Sequence, residues 1–520
     1  MTIERQMAVR LTYTSGGLDS AAHAEFERCL RDARAAPPEP WPHVIGGRLS
    51  AEGPVFERAD PSHIDRVASR AHAAGPQTVA QAVDAAREAR AQWRRTPYRE
   101  RLERLAAVAR AISERHIELA AVMSAETGKS RTEAIVEVQE AIELVETYSE
   151  EMERHDGFVA PLASFTPAER GTEILRPYGV FGVIAPFNFP LALTVGMTAA
   201  ALLAGNTVVV KPSEDAPWTG ALLAEALLAG ELGPGVFNLL HGGPATGRAL
   251  VDAPVDGIAF TGSAEVGREI ARKLVTGPYA RPALTEMGGK NPAIVTASAD
   301  LDAAAEGLAR AAFGLSGQKC SACSRAIVLD GVHEELLERL CAFTATLSVG
   351  DPSERDAFLG PVVDARAFQR FRESVDAARR DGQVALGGGL PRPEGWFAEP
   401  TVVADLPRGH PLTREELFLP FLTVTRVATL DEAFAEANAT DYGLTAGIFS
   451  SDQGEIDRFL DEMQAGVLYV NRRAGATTGA WPRTQSFCGW KSSGTTGKGG
   501  LGPYYLPQFM REQSRTVVQR

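Results

Sequence analysis

A chain of 520 residues is too long for one compact core, so two or three domains are expected. A hydrophobic content of 44% with 50 glycines describes a globular protein, and a net charge of -13 with no long basic run argues against a nucleic-acid partner. Five cysteines, odd in number and unpatterned, suit a reducing cytoplasm better than a disulfide scaffold. The opening MTIERQMAVRLTYTSGG has no apolar signal-peptide core, which again points to the cytoplasm. In chain order, 79–93 and 99–124 predict amphipathic helices, and 131–154 predicts a long acidic helix ended by the turn pair Asp156-Gly157. No charged residue lies between Arg176 and Lys211, a run long enough to cross a bilayer. Pro177, Pro186, Asn188, Pro190 and the pair Gly205-Asn206 divide it into a strand at 180–184, a loop, a helix at 191–203 and a strand at 207–210. Each piece is too short to span, so two buried strands joined by a packed helix are expected and a membrane is not.

Further strands are predicted at 236–240, 257–260, 293–295 and 326–329, alternating with helices at 220–228, 264–274, 303–313 and 334–344. That alternation predicts an α/β fold of doubly wound parallel sheets. The glycine- and threonine-rich stretch 492–503 leads to QSRTVVQR, an expected edge strand that pairs with another subunit.

Chemistry concentrates in a few stretches. FGLSGQKCSACSR holds Cys320 and Cys323 three positions apart. A zinc site needs four ligands, and no second such cluster accompanies them; a thioredoxin-like pair belongs to a small βαβ domain that this chain does not resemble. Gly314 and Gly317 interrupt a helix end, so Cys320 falls in a tight, displayed loop, whereas Cys323 enters a strand and suits an inert packed thiol. In GVIAPFNFP, Asn188 lies in the most apolar part of the chain, where a buried amide either bonds a loop backbone or stabilises a developing oxyanion. In TEMGGKNP, Glu286 precedes a glycine pair and is a surface charge, an ion-pair partner or a general base with a raised pKa. In VVVKPSE, Lys211 and Glu214 stand at the carboxyl edge of a buried strand, where open α/β sheets bind ligands. A carboxylate there accepts the two hydroxyls of an adenosine ribose and repels a 2′-phosphate. IAFTGSAEVG is strand–turn–helix with bare backbone N–H groups at its turn, suited to a pyrophosphate or simply to a helix start.

The order and spacing of APFNFP, VVVKPSE, FTGSAEVG, TEMGGKNP, GQKCSACSR and EELF resemble the aldehyde dehydrogenase superfamily from about Val79 to Thr516. The resemblance implies a NAD-binding domain from 1–157 and 178–285, a catalytic domain from 286–491, and an oligomerisation flap from 158–177 with 492–520. By the same resemblance Cys320 is the nucleophile, Asn188 the oxyanion amide and Glu286 the base that activates the deacylating water. Lys211 and Glu214 contact the adenosine ribose of NAD, and Gly262, Ser263 and Gly267 the pyrophosphate turn. Ile184 and Pro186 line the cofactor cleft, and Glu416 with Phe418 clamps the nicotinamide ribose. Thiolate attack on an aldehyde, loss of hydride to the nicotinamide and hydrolysis of the resulting thioester follow. No metal is implied, and a small-molecule aldehyde and a second copy of the chain are the expected partners.

Ser321 directly after the nucleophile, KGGLGPYYL near Gly499 and the stretch 471–476 look most like the branch that oxidises glutamate γ-semialdehyde, formed from pyrroline-5-carboxylate. That branch implies Ser321, Gly475 and Ala476 around the substrate α-carboxylate, Phe189 and Phe487 along its aliphatic chain, and Glu140 beside its amine. Backbone N–H groups and a hydroxyl can bind a carboxylate without a buried cation. Two departures stand out: TTGAWPRTQSFCGWK is longer than the family's compact glycine-rich stretch, and EELFLP carries Leu419 where the family has glycine.

Overall fold

The computed structural model describes residues 18–35, 39–473 and 481–519. Val180–Ile184 and Thr207–Lys211 are buried along their whole length, with no polar alternation. Strands of that kind need cover on both faces, which a parallel sheet between helix layers supplies. Here they lie at the centre of a seven-stranded sheet ordered Ala283–Met287, Gly257–Gly262, Val180–Ile184, Thr207–Lys211, Phe237–Leu239, His43–Ile45 and Arg48–Ser50. The first five are mutually parallel, and the last two form an antiparallel margin. A second seven-stranded sheet runs Gln383–Leu386, Thr401–Ala404, Phe421–Val427, Cys323–Leu329, Asn291–Val295, Thr445–Phe449 and Val467–Val470. It is parallel except at Gln383–Leu386.

The uncharged run between Arg176 and Lys211 resolves as expected into strand, loop, helix (Ala192–Leu203) and strand. No helix among the described residues is long and apolar enough to cross a membrane. The acidic helix spans Arg131–Arg154, and positive φ at Asp156 and Gly157 turns the chain away from it.

The helix expected at 99–124 is two helices, Tyr98–Glu114 and His116–Thr127, broken at Arg115 (φ -108, ψ 24). The second is buried on every side from Leu119 to Thr127, which an amphipathic continuation of the first could not be. Arg115 supports the break by pairing with Glu118 and Glu225. Helix Ser20–Ala35 and the hairpin Val55–Asp60/His63–His72 carry no strong signal in the sequence.

A third sheet orders Met510–Val518, Glu169–Pro177 and Val159–Leu162, all antiparallel. Before reaching it, the chain from 492 onward runs back along the first sheet, where Met287 N donates to Ser493 O (2.9 Å). The passage between the two large sheets is the short link from Met287 through Gly288 and Gly289 to Asn291. Every group discussed next lies near that link or at the carboxyl ends of the parallel strands.

Candidate active site

Helix Leu301–Phe313 stops where Leu315, Ser316 and Gly317 all adopt positive φ (50, 53 and 68). Three interactions hold that costly backbone in place. Glu133 on the acidic helix accepts Leu315 N (3.1 Å) and pairs with Lys319 (2.7 Å), and Ser316 Oγ donates to Gly360 O (2.6 Å). Gly317 is obligatory, because a Cβ there would sit 1.9 Å from Leu419 O. Cys320 follows in a tight turn whose carbonyls are taken by Asn291: its Nδ2 donates to Cys320 O (2.7 Å) and Ala322 O (2.9 Å), and its Oδ1 accepts Thr445 N (3.0 Å). Asn188, buried in the loop after Val180–Ile184, donates to Gln318 O (2.9 Å). The amide thus reaches the nucleophile loop from the other sheet with one of its two N–H groups.

Cys320 keeps partial exposure while protein crowds it on its other sides. That crowding, and then the carboxylates of Glu416 and Glu286, hold its thiol well above the ordinary range. Cys323 is 1% exposed, its Sγ lies 3.7 Å from Arg325 O, and burial pushes it up to about 12. The two cysteines therefore differ in access, one facing a cleft and the other packed in the core.

Glu286 ends near the edge of the first sheet, on Ala283–Met287, and its Oε1 accepts Gly500 N (2.7 Å). Burial raises it to about 7, with only that N–H opposing. Glu416 is held alike: its Oε1 accepts Gly289 N (2.9 Å), and burial raises it to about 7. The glycine pair is explained by these approaches. A Cβ on Gly288 would lie 1.9 Å from Glu416 Oε2, and one on Gly289 would lie 2.7 Å from Cys320 O.

Cys320, Ser321, Glu286, Phe189, Phe487 and Glu140 line one cleft. Glu140 is largely buried there, not on a solvated helix face. Gly475 and Ala476 lie outside the described residues. Sequence reasoning passed over Tyr148 and Tyr505, whose rings meet at a tilt of 31° with centroids 5.5 Å apart along the cleft, with Tyr148 Oη accepting Leu501 N (3.2 Å). It also gave no role to Asn291, although a polar side chain directly after GGK at the start of a buried strand is a signal.

On the other side of the first sheet's central strands, Ile184 is in register with Lys211, and Pro186 follows it in the loop. Lys211 Nζ donates to Pro212 O (2.9 Å) and Gly242 O (2.8 Å) and pairs with Glu214 (3.2 Å). The Glu214 side chain stays 31% exposed. Gly243 and Gly247 leave the surface above this pair bare: a Cβ on either would come within 3.8 Å of Glu214 Oε1 or Lys211 Cδ. Ser263 caps helix Ala264–Val275, its Oγ accepting Val266 N (3.4 Å). Gly262 and Gly267 leave room for Phe260 and Met287, since a Cβ at either would lie 2.4 Å from one of them. Phe418, at φ 60, meets Phe187 edge-on at 5.9 Å, and Leu419 packs into the core of the second sheet. Among the described residues no group of three His, Cys, Asp or Glu could hold a metal.

A thiol facing a cleft, a buried carboxyl near neutrality and an amide tied to the thiol's loop are the kinds of group that covalent acyl chemistry uses. The aldehyde dehydrogenase family model matches residues 49–514, and the chain belongs to that family of aldehyde oxidoreductases. Within it, the chain is 36% identical over 501 residues to a 1-pyrroline-5-carboxylate dehydrogenase from Geobacillus sp. (strain WCH70), covering 95% of this chain and 96% of that one. It superimposes on the 1-pyrroline-5-carboxylate dehydrogenase from Thermus with bound NAD at a TM-score of 0.93 and 34% identity, each chain covered in full. Proline utilization A from Bdellovibrio bacteriovorus matches at a TM-score of 0.92 and 35% identity, over 97% of this chain and 53% of that one.

Proposed function

We propose that this protein oxidises L-glutamate γ-semialdehyde, in equilibrium with pyrroline-5-carboxylate, to L-glutamate with NAD. The observation that carries the reading is the shared cleft. Ser321 stands beside Cys320, Phe189 and Phe487 offer apolar walls for a short aliphatic chain, and Glu140 offers a carboxylate for an ammonium group. Relatives bearing the 1-pyrroline-5-carboxylate dehydrogenase name along nearly their whole length support it.

The bare surface above Lys211 and Glu214 fits an adenosine ribose, whose hydroxyls the Glu214 carboxylate accepts. Ser263 and the first N–H groups of its helix suit the pyrophosphate, and Glu416 with Phe418 the nicotinamide ribose. Bound NAD supplies the acceptor for the hydride that leaves the substrate carbon.

The protein's own part is proton handling and charge. Cys320 attacks the aldehyde carbon, and its thiol proton passes to a base; Glu286, near neutrality and lining the same cleft, is the group placed to receive it. The oxyanion of the thiohemiacetal is met by the second N–H of the Asn188 amide. After hydride loss a thioester remains on Cys320. Once Glu286 has released the thiol proton to solvent, it takes a proton from water, whose oxygen adds to the thioester carbonyl; the C–S bond breaks, glutamate leaves, and Glu286 returns that proton to the departing thiolate. The resemblance implies an oligomerisation flap, and the exposed edge strand Met510–Val518 supports a homo-oligomer here.

The test is steady-state kinetics over an aldehyde panel. The largest kcat/KM is expected for glutamate γ-semialdehyde, with NADH and glutamate formed in equal amounts. A larger value for an uncharged aliphatic or aromatic aldehyde refutes the substrate assignment.

A further inference from the structure

Trp481 and Arg483 lie in the lengthened stretch where this chain departs from its family, and neither has a part in the chemistry above. Both are fastened to the acidic helix Arg131–Arg154. Trp481, 6% exposed, donates its indole N–H to Glu143 Oε2 (2.7 Å), while Gln139 holds Glu143 Oε1 (3.0 Å). Arg483 forks onto both oxygens of Glu150 (2.7 Å each) and lies 3.5 Å from Glu146 and 3.7 Å from Glu143.

Residues 140, 143, 146 or 147, and 150 recur at helical spacing, so one stripe of the helix runs from Glu140 in the cleft to the exposed Glu150. Carboxylates stacked along a stripe repel one another, and the single charge of Arg483 lies within 4 Å of three of them, which eases that repulsion. At its other end the same segment has backbone anchors. Gln485 Nε2 donates to Leu468 O (3.1 Å), Phe487 N to Gly500 O (2.9 Å) and Cys488 Sγ to Gly466 O (3.2 Å). The segment 481–488 is therefore a short beam that carries Phe487, fixed behind by one main-chain bond and two side-chain bonds to main-chain carbonyls, and in front by charge.

We infer that Trp481 and Arg483 are specificity-determining positioning residues. By fastening the Phe487 wall to the helix that bears Glu140, they select an amino-acid semialdehyde over a simple aldehyde and leave the chemical step untouched. The inference rests on the substrate proposed above. Side chains a third exposed are screened by salt, so the fastening weakens as ionic strength rises.

The test uses the intact enzyme with Arg483→Ala, Glu150→Gln and Trp481→Phe, the last keeping an aromatic ring while losing the indole N–H and part of its bulk. kcat and KM are measured for glutamate γ-semialdehyde and for propanal, at low and high sodium chloride. For the semialdehyde, KM is expected to rise about three- to tenfold with kcat within about twofold, propanal kinetics staying at the parent values. High salt should raise the parent's KM and move that of Arg483→Ala less. Unchanged selectivity in all three variants overturns the inference, as does an equal loss on both aldehydes. If the parent itself does not prefer the semialdehyde, the substrate assignment fails separately. Amide hydrogen exchange over 481–488 then decides the fastening, faster exchange in Arg483→Ala supporting it and unchanged exchange refuting it.

Discussion

Replacing Asn291 by alanine removes the clamp under the nucleophile turn while leaving every reacting group in the chain. The side chain is 2% exposed and makes three hydrogen bonds, at 2.7, 2.9 and 3.0 Å, to Cys320 O, Ala322 O and Thr445 N. Each bond is worth about 1 kcal/mol net, and each buried group stranded without a partner costs about 1–3 kcal/mol. The three groups share one side chain and relax together, so the loss should total about 3–5 kcal/mol rather than the sum of the extremes. Part of it will appear as a displaced turn, and a shift of about 1 Å in a reacting atom costs about a hundredfold in rate. Urea unfolding with and without NAD reads the first effect. kcat/KM and the alkylation rate of Cys320 by iodoacetamide read the second. Asn291→Asp sharpens the test, since it keeps the acceptor for Thr445 N but sets a carboxylate against two carbonyl oxygens. It should be no better than alanine. An alanine variant within about 1 kcal/mol of the parent and within threefold in kcat/KM would refute the clamp.

Two further outcomes follow from charge. Glu286 works as a base only when ionised, and burial raises it to about 7, so hydrolysis of the acyl-enzyme should accelerate as pH rises through about 7 and then level off. A limb centred near 4.5 instead would show that burial does not govern it; the same upward shift makes this group's contribution to folding decline as pH climbs from 4.5 towards 7. Glu214→Gln removes the charge that repels a 2′-phosphate, while Lys211 keeps its bonds to Pro212 O and Gly242 O. The preference for NAD over NADP, read as a ratio of kcat/KM, should fall about tenfold or more, and an unaltered ratio would defeat the repulsion argument.

Local chemistry explains what was legible in the sequence. The acidic helix declared both its ends, the second through Asp156-Gly157, because caps and turns are written in adjacent residues. Val180–Ile184 and Thr207–Lys211 declared themselves by unbroken apolar runs, and Cys320 by the glycines that stop a helix just before it. The break at Arg115 went unread because no glycine or proline marks it; total burial of the next helix imposes it.

What only the tertiary structure decided has one physical source: a backbone group carries no residue signature. Gly500 N–H holds Glu286 from 214 positions away, and Gly289 N–H holds Glu416 from 127. Asn291 spells out its capacity to bond but not its partners, which come from Cys320, Ala322 and Thr445. Trp481 meets Glu143 across 338 residues, so nothing in the sequence of that stretch announced its seat on the acidic helix. The sequence by itself determined which groups could react and roughly where strands and helices form, since those follow from side-chain chemistry and spacing. The distances that aim the thiol, raise the base and set the width of the cleft belong to the fold, because they depend on main-chain groups brought together from far along the chain.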